Sequence, residues 1–549
     1  MKDTLKPFYL ALFILALAVN FAGINVNFFT DDPGLYASIA KNLIYKKEFL
    51  QLYTYGQDWL DKPHFPFWMV YFSFKIFGIS IWAYRLPALL FFLLGALYTY
   101  LFARKFYGEQ FAMIAVLILM TAQYAMMGNV DVRAEPYLIG LIIGSIYHIS
   151  RLEERFSRTD LLLAALLTAF AIMTKGIFVI VAIYGALLGQ LIFKQQFLRI
   201  FSGRFILLYL LTFIFVAPEL YALYLQFDLH PEKIVFDRRG VSGIKWFLWD
   251  SQFGRFVNKG PISQQGGGDV FFYLHTLLWA FAPWCLLFYY GVFKRIKQLI
   301  QKQPACEYYT LSGGLLLLLL FSLSRFQLPF YANAIFPLFA IIIAPYCIVV
   351  LPKTESTIRL ATQWVYIIAF PLVIVVVNYF MRLNGSLFIA DCTGLVILAG
   401  FIFIKIKENY YRAFLLNCTV ALFVNFYLNT VLYKEVASYN GQITAASYVN
   451  KTVSSSTAIY SLKKENNAFQ FYTNRPVGYV QLEKFPAFNT DTTSLFYASQ
   501  LSLDYLNAKH ASYKIVQSFQ NYPQERILLN FIHKPNRPQV LDKVYLIAK

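Results

Sequence analysis

Residues 8–37 read FYLALFILALAVNFAGINVNF, from Phe8 to Phe28, and then FTDDPGLYA, from Phe29 to Ala37. The first part is an apolar run long enough to cross a bilayer, which takes roughly 20 residues. The second part puts two carboxylates, Asp31 and Asp32, where that run ends. The run is longer than the apolar stretch of a secretory leader and lacks a small-x-small cleavage site, so it reads as a retained membrane anchor. Spans that deliver charged groups to one membrane face recur along the chain.

Further apolar runs lie at about 82–104, 110–128, 134–150, 160–174, 176–193, 205–225, 271–293, 309–323, 329–351, 360–381, 386–404 and 411–433. With 8–28 they make thirteen expected transmembrane helices. Composition agrees: 58% of the 549 residues are hydrophobic and 14% charged, against about half and a quarter in soluble chains. The formal charge of +19 lies largely in short loops. Arg104 and Lys105, then Arg151, Arg155 and Arg158, then Lys194, Arg199 and Arg204 fall on one side. Lys294, Arg295, Lys297 and Lys302, then Lys353 and Arg359, then Lys405, Lys407 and Arg412 join them. That side is cytoplasmic by the positive-inside bias, which puts the N-terminus inside and the C-terminus outside a bacterial inner membrane. Charge so placed argues against nucleic acid as a partner and for the lipid bilayer. Cys285, Cys306, Cys347, Cys392 and Cys418 show no metal-site spacing and read as apolar fillers.

Two outer loops are long, 29–81 and 226–270, the second containing Gly266-Gly267-Gly268. From 434 the apolar runs stop. Strand-like Ala458–Leu462, Tyr513–Ser518 and Lys543–Ala548 alternate with helix-like pieces such as Gln442–Lys451. The expected fold is mainly α: a polytopic membrane protein with about 13 transmembrane helices and a long first periplasmic loop. A small C-terminal α/β periplasmic domain, 434–549, follows the transmembrane domain, 1–433.

Charged groups recur at the outer ends of separate spans. Asp31 and Asp32 precede a helix-like stretch, Tyr36–Tyr45. Helix capping accounts for one of them; a general base near an acceptor hydroxyl accounts for the other. Asp61-Lys62-Pro63 sits among aromatics, where Lys62 suits either an interfacial anchor or a phosphate. Asp131, Arg133 and Glu135 end the third run, as a structural ion network or a cavity lining. Thr174-Lys175-Gly176 puts a lysine at an outer turn, against the charge bias. Arg255 lies in the second long loop, and Arg325 and Tyr331 in the turn before the tenth span. Capping or snorkelling explains each alone and explains their shared sidedness less well.

These motifs resemble the polyprenyl-phosphate-dependent glycosyltransferases of the C-type membrane fold, among them lipid A aminoarabinose transferases and protein O-mannosyltransferases. The resemblance rests on Asp32-Pro33-Gly34-Leu35-Tyr36-Ala37, Asp61-Lys62-Pro63, Thr174-Lys175-Gly176 and Leu328-Pro329-Phe330-Tyr331, in that order. It implies that Asp32, four residues before Tyr36, is the catalytic base, with Asp31 the adjacent candidate. It implies donor-phosphate contacts from Lys62, Arg255 and Tyr331, with Lys175 or Arg133 in support, and a second acidic site at Asp131 or Glu135. The implied partners are a polyprenyl-phosphate-linked sugar and a periplasmic glycolipid, glycan or protein acceptor. Pro33 stands where family members often carry Glu. The zinc associated with a His-containing stretch of the aminoarabinose transferases meets Gln264-Gln265-Gly266-Gly267-Gly268-Asp269 here, so no metal or other cofactor is firmly implied. His64, beside Asp61, and His230 are the candidate ligands for a divalent metal, and His275 lies further on, inside the span. A transporter or flippase of a lipid-linked sugar is the alternative, for which Glu219 and Asp391 would be the intramembrane acids. A scaffold presenting residues 434–549 is a third reading, which needs no gathered charges.

Overall fold

The computed structural model describes residues 5–549 apart from 265–266, 384, 464–465, 489–492 and 524–526. Gln265 and Gly266 of the glycine-rich stretch therefore lie outside the described residues.

The first anchor is a helix, α1 (Lys6–Ala22). After a short turn the chain enters α2 (Asp31–Lys46), which begins two residues ahead of its proline. Thr30, not an aspartate, is the N-cap residue. The expectation that one Asp caps the helix is thus corrected: Asp31 and Asp32 both lie in its first turn, where the helix dipole favours negative charge. A small hairpin follows, β1 (Tyr53–Thr54) with β2 (Gln57–Asp58), and then α3 (Phe65–Phe77). At 13 residues this apolar helix is about 20 Å long, too short for a hydrocarbon core of about 30 Å.

Next come α4 (Ile81–Tyr107), α5 (Glu109–Thr121), α6 (Gln123–Gly128), α7 (Glu135–Glu154) and α8 (Arg158–Lys175). Gly176 ends α8 with φ +105°, a conformation that L side chains rarely adopt. Lys175 is thereby held at a fixed turn. Each remaining apolar run overlaps a helix, and several change course: 176–193 starts as a 3₁₀ segment, Ile177–Val179, before Ile180–Phe193. The 271–293 run divides into Phe272–Ala280 and Cys285–Ile300, and 329–351 starts as a 3₁₀ segment, Pro329–Ile335, before Phe336–Ile348.

Among the described residues, six helices are long and apolar enough to cross a membrane: Ile81–Tyr107, Gly203–Asp228, Pro329–Ile348, Lys353–Met381, Gly385–Lys405 and Asn409–Ser438. Shorter apolar helices, among them Lys6–Ala22 and Tyr309–Leu323, pack beside them. One large apolar core runs from α1 through Phe414 and Leu422 and takes in the buried faces of α4, α5 and α7.

The last part of the chain holds a five-stranded mixed sheet: β3 (Ala458–Ser461), β4 (Val477–Tyr479), β5 (Ser494–Ser499), β6 (Lys514–Asn521) and β7 (Asp542–Ala548), in the order β4-β3-β5-β7-β6. β3 runs parallel to β4 and β5, while β7 is antiparallel to β5 and β6. Helix Gly441–Thr452 covers one face. β4 and β5 carry no strong alternation in sequence, and neither was expected as a strand.

This α/β layer is joined to the first loop. Helix Asn467–Tyr472 lies on α2, so close that a Cβ on Gly34 would stand 2.9 Å from the Ala468 backbone nitrogen. Ser38 donates to the Asn467 carbonyl at 3.0 Å. The Lys41 ammonium donates to the carbonyls of Gln470 at 3.1 Å, Phe471 at 2.8 Å and Thr473 at 2.5 Å. Carbonyls at a helix C-terminus lack intrahelical partners, and Lys41 supplies them.

Candidate active site at the first turn of α2

The site residues come from seven separate segments. α2 supplies Asp31 and Asp32; the segment before α3 supplies Asp61 and Lys62; the segment before α7 supplies Asp131 and Arg133. α7 and α8 contribute Glu135 and Lys175, and Arg255 and Tyr331 come from Ser251–Phe256 and Pro329–Ile335.

A buried arginine fixes the frame. Arg85 of α4 donates through Nε to the Val130 carbonyl at 2.8 Å and through Nη1 to those of Gly23 at 3.2 Å and Ile24 at 3.0 Å, and to that of Val26. It thus ties the segment leading to Asp31 to the segment leading to Asp131. Across that tie, the Thr30 hydroxyl donates to Asp131. Arg133 bridges the two acids, bonding Asp32 with Nη1 and Asp131 at 3.2 Å with Nη2. Its guanidinium lies 4.3 Å from the Phe330 ring centroid, a cation–π contact. Asp32 remains the more open acid, 42% exposed against 3% for Asp131. Asp31 turns the other way and accepts from the Asn467 amide at 2.6 Å.

The expected Asp131–Arg133–Glu135 network is divided in the structure. Glu135 pairs with Lys175, both nearly fully buried. Lys175 also lies 3.7 Å from the Tyr331 ring centroid. The reason is geometric: Glu135 begins α7 and faces α8, whereas Arg133 precedes the helix and faces α2.

Asp61 accepts from both Lys62 and Arg255. Arg255 is braced in turn by the Ser251 hydroxyl at 3.1 Å. Burial opposes charge on Asp61, but Lys62 and Arg255 outweigh it and hold its carboxyl below the usual range. Burial first, and then Arg255, lower the Lys62 ammonium. Tyr36 packs against Phe67, and burial, reinforced by Asp32, keeps its phenol protonated.

Lys62, Lys175, Arg255 and Tyr331 open together into a cavity of about 310 Å³ whose other walls include Ile177, Ile180, Val181, Phe253 and Leu320. It pairs a cationic end with an apolar wall.

The histidines are engaged elsewhere. His64 is buried against Glu219, with its ring Nδ1 at 2.9 Å and its backbone N–H donating at 3.0 Å. Glu219, a candidate intramembrane transport acid, therefore secures the start of α3. His230 pairs with Glu232, and His275 lies 3.5 Å from Asp269, both on exposed side chains. Among the described residues no three His, Cys, Asp or Glu side chains gather as a metal-holding group, so the residues present do not fit zinc. Asp391 is buried in Gly385–Lys405 and makes no ion pair among the described residues.

The sequence profile of a family described as dolichyl-phosphate-mannose-protein mannosyltransferase matches residues 61–221. That stretch holds Asp61, Lys62, Asp131, Arg133, Glu135 and Lys175, while Asp31, Asp32, Arg255 and Tyr331 lie outside it. The solved structure of ArnT from Cupriavidus metallidurans bound to undecaprenyl phosphate superposes with a TM-score of 0.75. It covers 98% of this chain and 97% of that one, at 16% identity. The chain has the C-type glycosyltransferase fold. The apo form of the same ArnT agrees, with a TM-score of 0.75, 16% identity, and 99% and 98% coverage. A protein of Aquifex aeolicus (strain VF5), described only as uncharacterized, is 22% identical over 393 residues, 70% of this chain and 72% of its own. The superposition takes in the α/β layer as well as the helices, since so little of either chain is left unmatched. The resemblance drawn from the first-loop and lysine motifs is borne out at the level of fold.

Several neighbours in the site carry no motif of their own. Phe330, beneath Arg133, Ser251, beside Arg255, and Asn467, on Asp31, are among them. Lys41 had a weak signal, a lysine among the apolar positions of α2.

Proposed function

We propose that this chain is an inverting glycosyltransferase of the bacterial inner membrane, moving a sugar from a polyprenyl-phosphate donor to an acceptor on the periplasmic face. The observation that carries the reading is the cavity in which Lys62, Lys175, Arg255 and Tyr331 meet an apolar wall, with Asp32 near enough for its charge to act on Lys62 and Lys175. A phosphate needs the cations, and a polyprenyl chain needs the wall. The likeness to an ArnT solved with undecaprenyl phosphate supports the same donor class.

In this reading Asp32, oriented by Arg133, accepts the proton of the acceptor hydroxyl. The freed oxygen attacks the anomeric carbon, the carbon–oxygen bond to phosphate breaks, and polyprenyl phosphate leaves. Lys62 and Arg255 meet the charge that grows on the leaving phosphate, as preorganised groups in a water-poor site do. A single displacement inverts the anomeric centre. Asp61 positions the two cations, and Lys175, paired with the buried Glu135, adds a third to the lining. Basic inner loops support a cytoplasmic N-terminus, thirteen spans and a periplasmic domain at 434–549. The acceptor class is a glycolipid, glycan or protein.

The test is Asp32→Asn in membranes supplied with polyprenyl-phosphate sugar. General-base catalysis contributes typically 10²–10⁴-fold, so transfer falls by at least about 100-fold while insertion and thermal midpoint stay unchanged. Near-native transfer by that variant sinks the assignment.

A further inference from the structure

Two cavities lie near the first turn of α2, one lined by its Asp31 and the other lined by Lys62 and Lys175, which feel the charge of Asp32, and their linings differ in kind. On one flank three cations and a phenol face an apolar wall. On the other, a cavity of about 460 Å³ reaches from Thr30 and Asp31 to the edge of the C-terminal sheet. That volume falls within the roughly 300–1,000 Å³ of small-molecule sites.

Half of the uncharged polar residues lining the larger cavity are amides: Asn440, Gln442, Asn466, Gln500 and Asn521. Its charged groups among the described residues are two carboxylates, Asp31 and Asp542, against one cation, Lys463. Tyr439 and Tyr522 add aromatic surface, while Tyr497 is buried with its ring stacked on Phe469. The amides are held in place. Asn521 donates to Asp542 at 2.9 Å and accepts from the Gly441 N–H at 3.0 Å. Gln442 accepts from the Phe469 N–H at 3.2 Å, and Asn440 donates to the Phe28 carbonyl at 3.1 Å.

Such a lining repels a phosphate, because acids outnumber cations. It suits a neutral carbohydrate, whose hydroxyls each donate and accept. An amide offers both roles, and a tyrosine face offers apolar surface to the C–H side of a sugar ring. Fixed groups lower the ordering cost of binding. Position gives the second argument: Asp31 lines this cavity, while its neighbour Asp32 is turned to Arg133 on the donor flank. A hydroxyl at the inner end of the cavity reaches the turn that faces both.

We propose that this cavity is the acceptor site and that its occupant is a neutral glycan, not a lipid phosphate. The inference rests on the transferase reading above. The acceptor hydroxyl gives its proton to the carboxylates of α2, its oxygen bonds the anomeric carbon, and polyprenyl phosphate leaves on the opposite flank.

The test uses the full chain in detergent micelles. Saturation-transfer NMR is run with methyl glycosides of glucose, galactose, mannose and N-acetylglucosamine, and with glucose 1-phosphate and glycerol phosphate as anionic comparators. Undecaprenyl phosphate binding is measured in parallel. Leu501→Trp blocks the cavity mouth from a side chain that is 77% exposed, so folding is undisturbed. At least one neutral glycoside saturates, Leu501→Trp cuts its signal at least fivefold, and undecaprenyl phosphate binding changes less than twofold. Saturation of the phosphates alone, of no probe, or equally in the variant overturns the proposal. Failure of the native chain to bind undecaprenyl phosphate overturns the transferase reading instead.

Discussion

Lys62→Met removes one cation from the donor cavity and keeps the length of the side chain. Lys62 is 19% exposed and shares the cavity with Lys175 and Arg255. Unit charges about 4 Å apart interact by about 4 kcal/mol at an effective dielectric of about 20. Partial exposure weakens this, and hydrogen bonds to charged groups contribute about 1.5–3 kcal/mol, so about 2 kcal/mol is a fair figure. That is roughly a 30-fold rise in Kd for undecaprenyl phosphate. A second effect has the same sign. Asp61 is bonded to both Lys62 and Arg255, so without Lys62 its whole charge falls on Arg255 and draws it from the phosphate. Adding Asp61→Asn releases Arg255 and recovers part of the loss, to about 10-fold. The assay is equilibrium binding of undecaprenyl phosphate to the full chain in nanodiscs at fixed salt. A Lys62→Met variant with native thermal midpoint and a Kd within threefold of native refutes the reasoning.

Other outcomes follow from the same contacts. Glu135→Ala leaves Lys175 buried without its counter-charge and lowers stability by about 3–5 kcal/mol, whereas Glu135→Leu with Lys175→Met costs much less; thermal midpoints of the two variants check this. Asp61→Asn has a pH signature: a carboxyl held below its usual range stabilises the fold above about pH 4, and loses that contribution as pH falls through its lowered value. The gap in midpoint between native and Asp61→Asn is therefore constant from pH 5 to 8 and closes in stronger acid. Gly34→Ala gains about 1 kcal/mol of helix propensity but forces α2 off a backbone nitrogen at 2.9 Å, an overpacking cost of about 1–3 kcal/mol. The clash prevails: the midpoint falls, and hydrogen exchange rises in Asn467–Tyr472.

The helices were legible because a bilayer demands long apolar runs, and every expected run met one. Their interruptions were not, since an apolar composition continues through Ala280–Cys285 and Pro329–Ile335 while the backbone changes course. The strands of 458–462, 513–518 and 543–548 were legible from alternation; β4 is three residues long and β5 is mostly buried, so neither shows it. The charged site residues stood out because ions at a membrane face are costly to place idly. Their pairing did not. Nothing local joins Glu135 to Lys175 in preference to Arg133, or Glu219 to His64. Those choices follow from helix rotation, which a single sequence does not reveal. The docking of α2 on Asn467–Tyr472 joins residues 429 positions apart, beyond the reach of any local pattern.

That docking orders events during synthesis. Lys41 leaves the ribosome early, but the carbonyls that receive its ammonium belong to residues 470–473. At about 5–20 residues per second, they follow roughly 20–90 s later. Through that interval α2 has its sequence and not its seat, with a lysine that must stay in water and Asp31 not yet held by Asn467. A chain cut short before the α/β layer keeps the donor-side cations and the Arg133–Asp32 pair, and loses the Asn467 bond to Asp31 and the seat of Lys41. The first turn of α2 thus reaches its full set of contacts only when the protein is nearly complete.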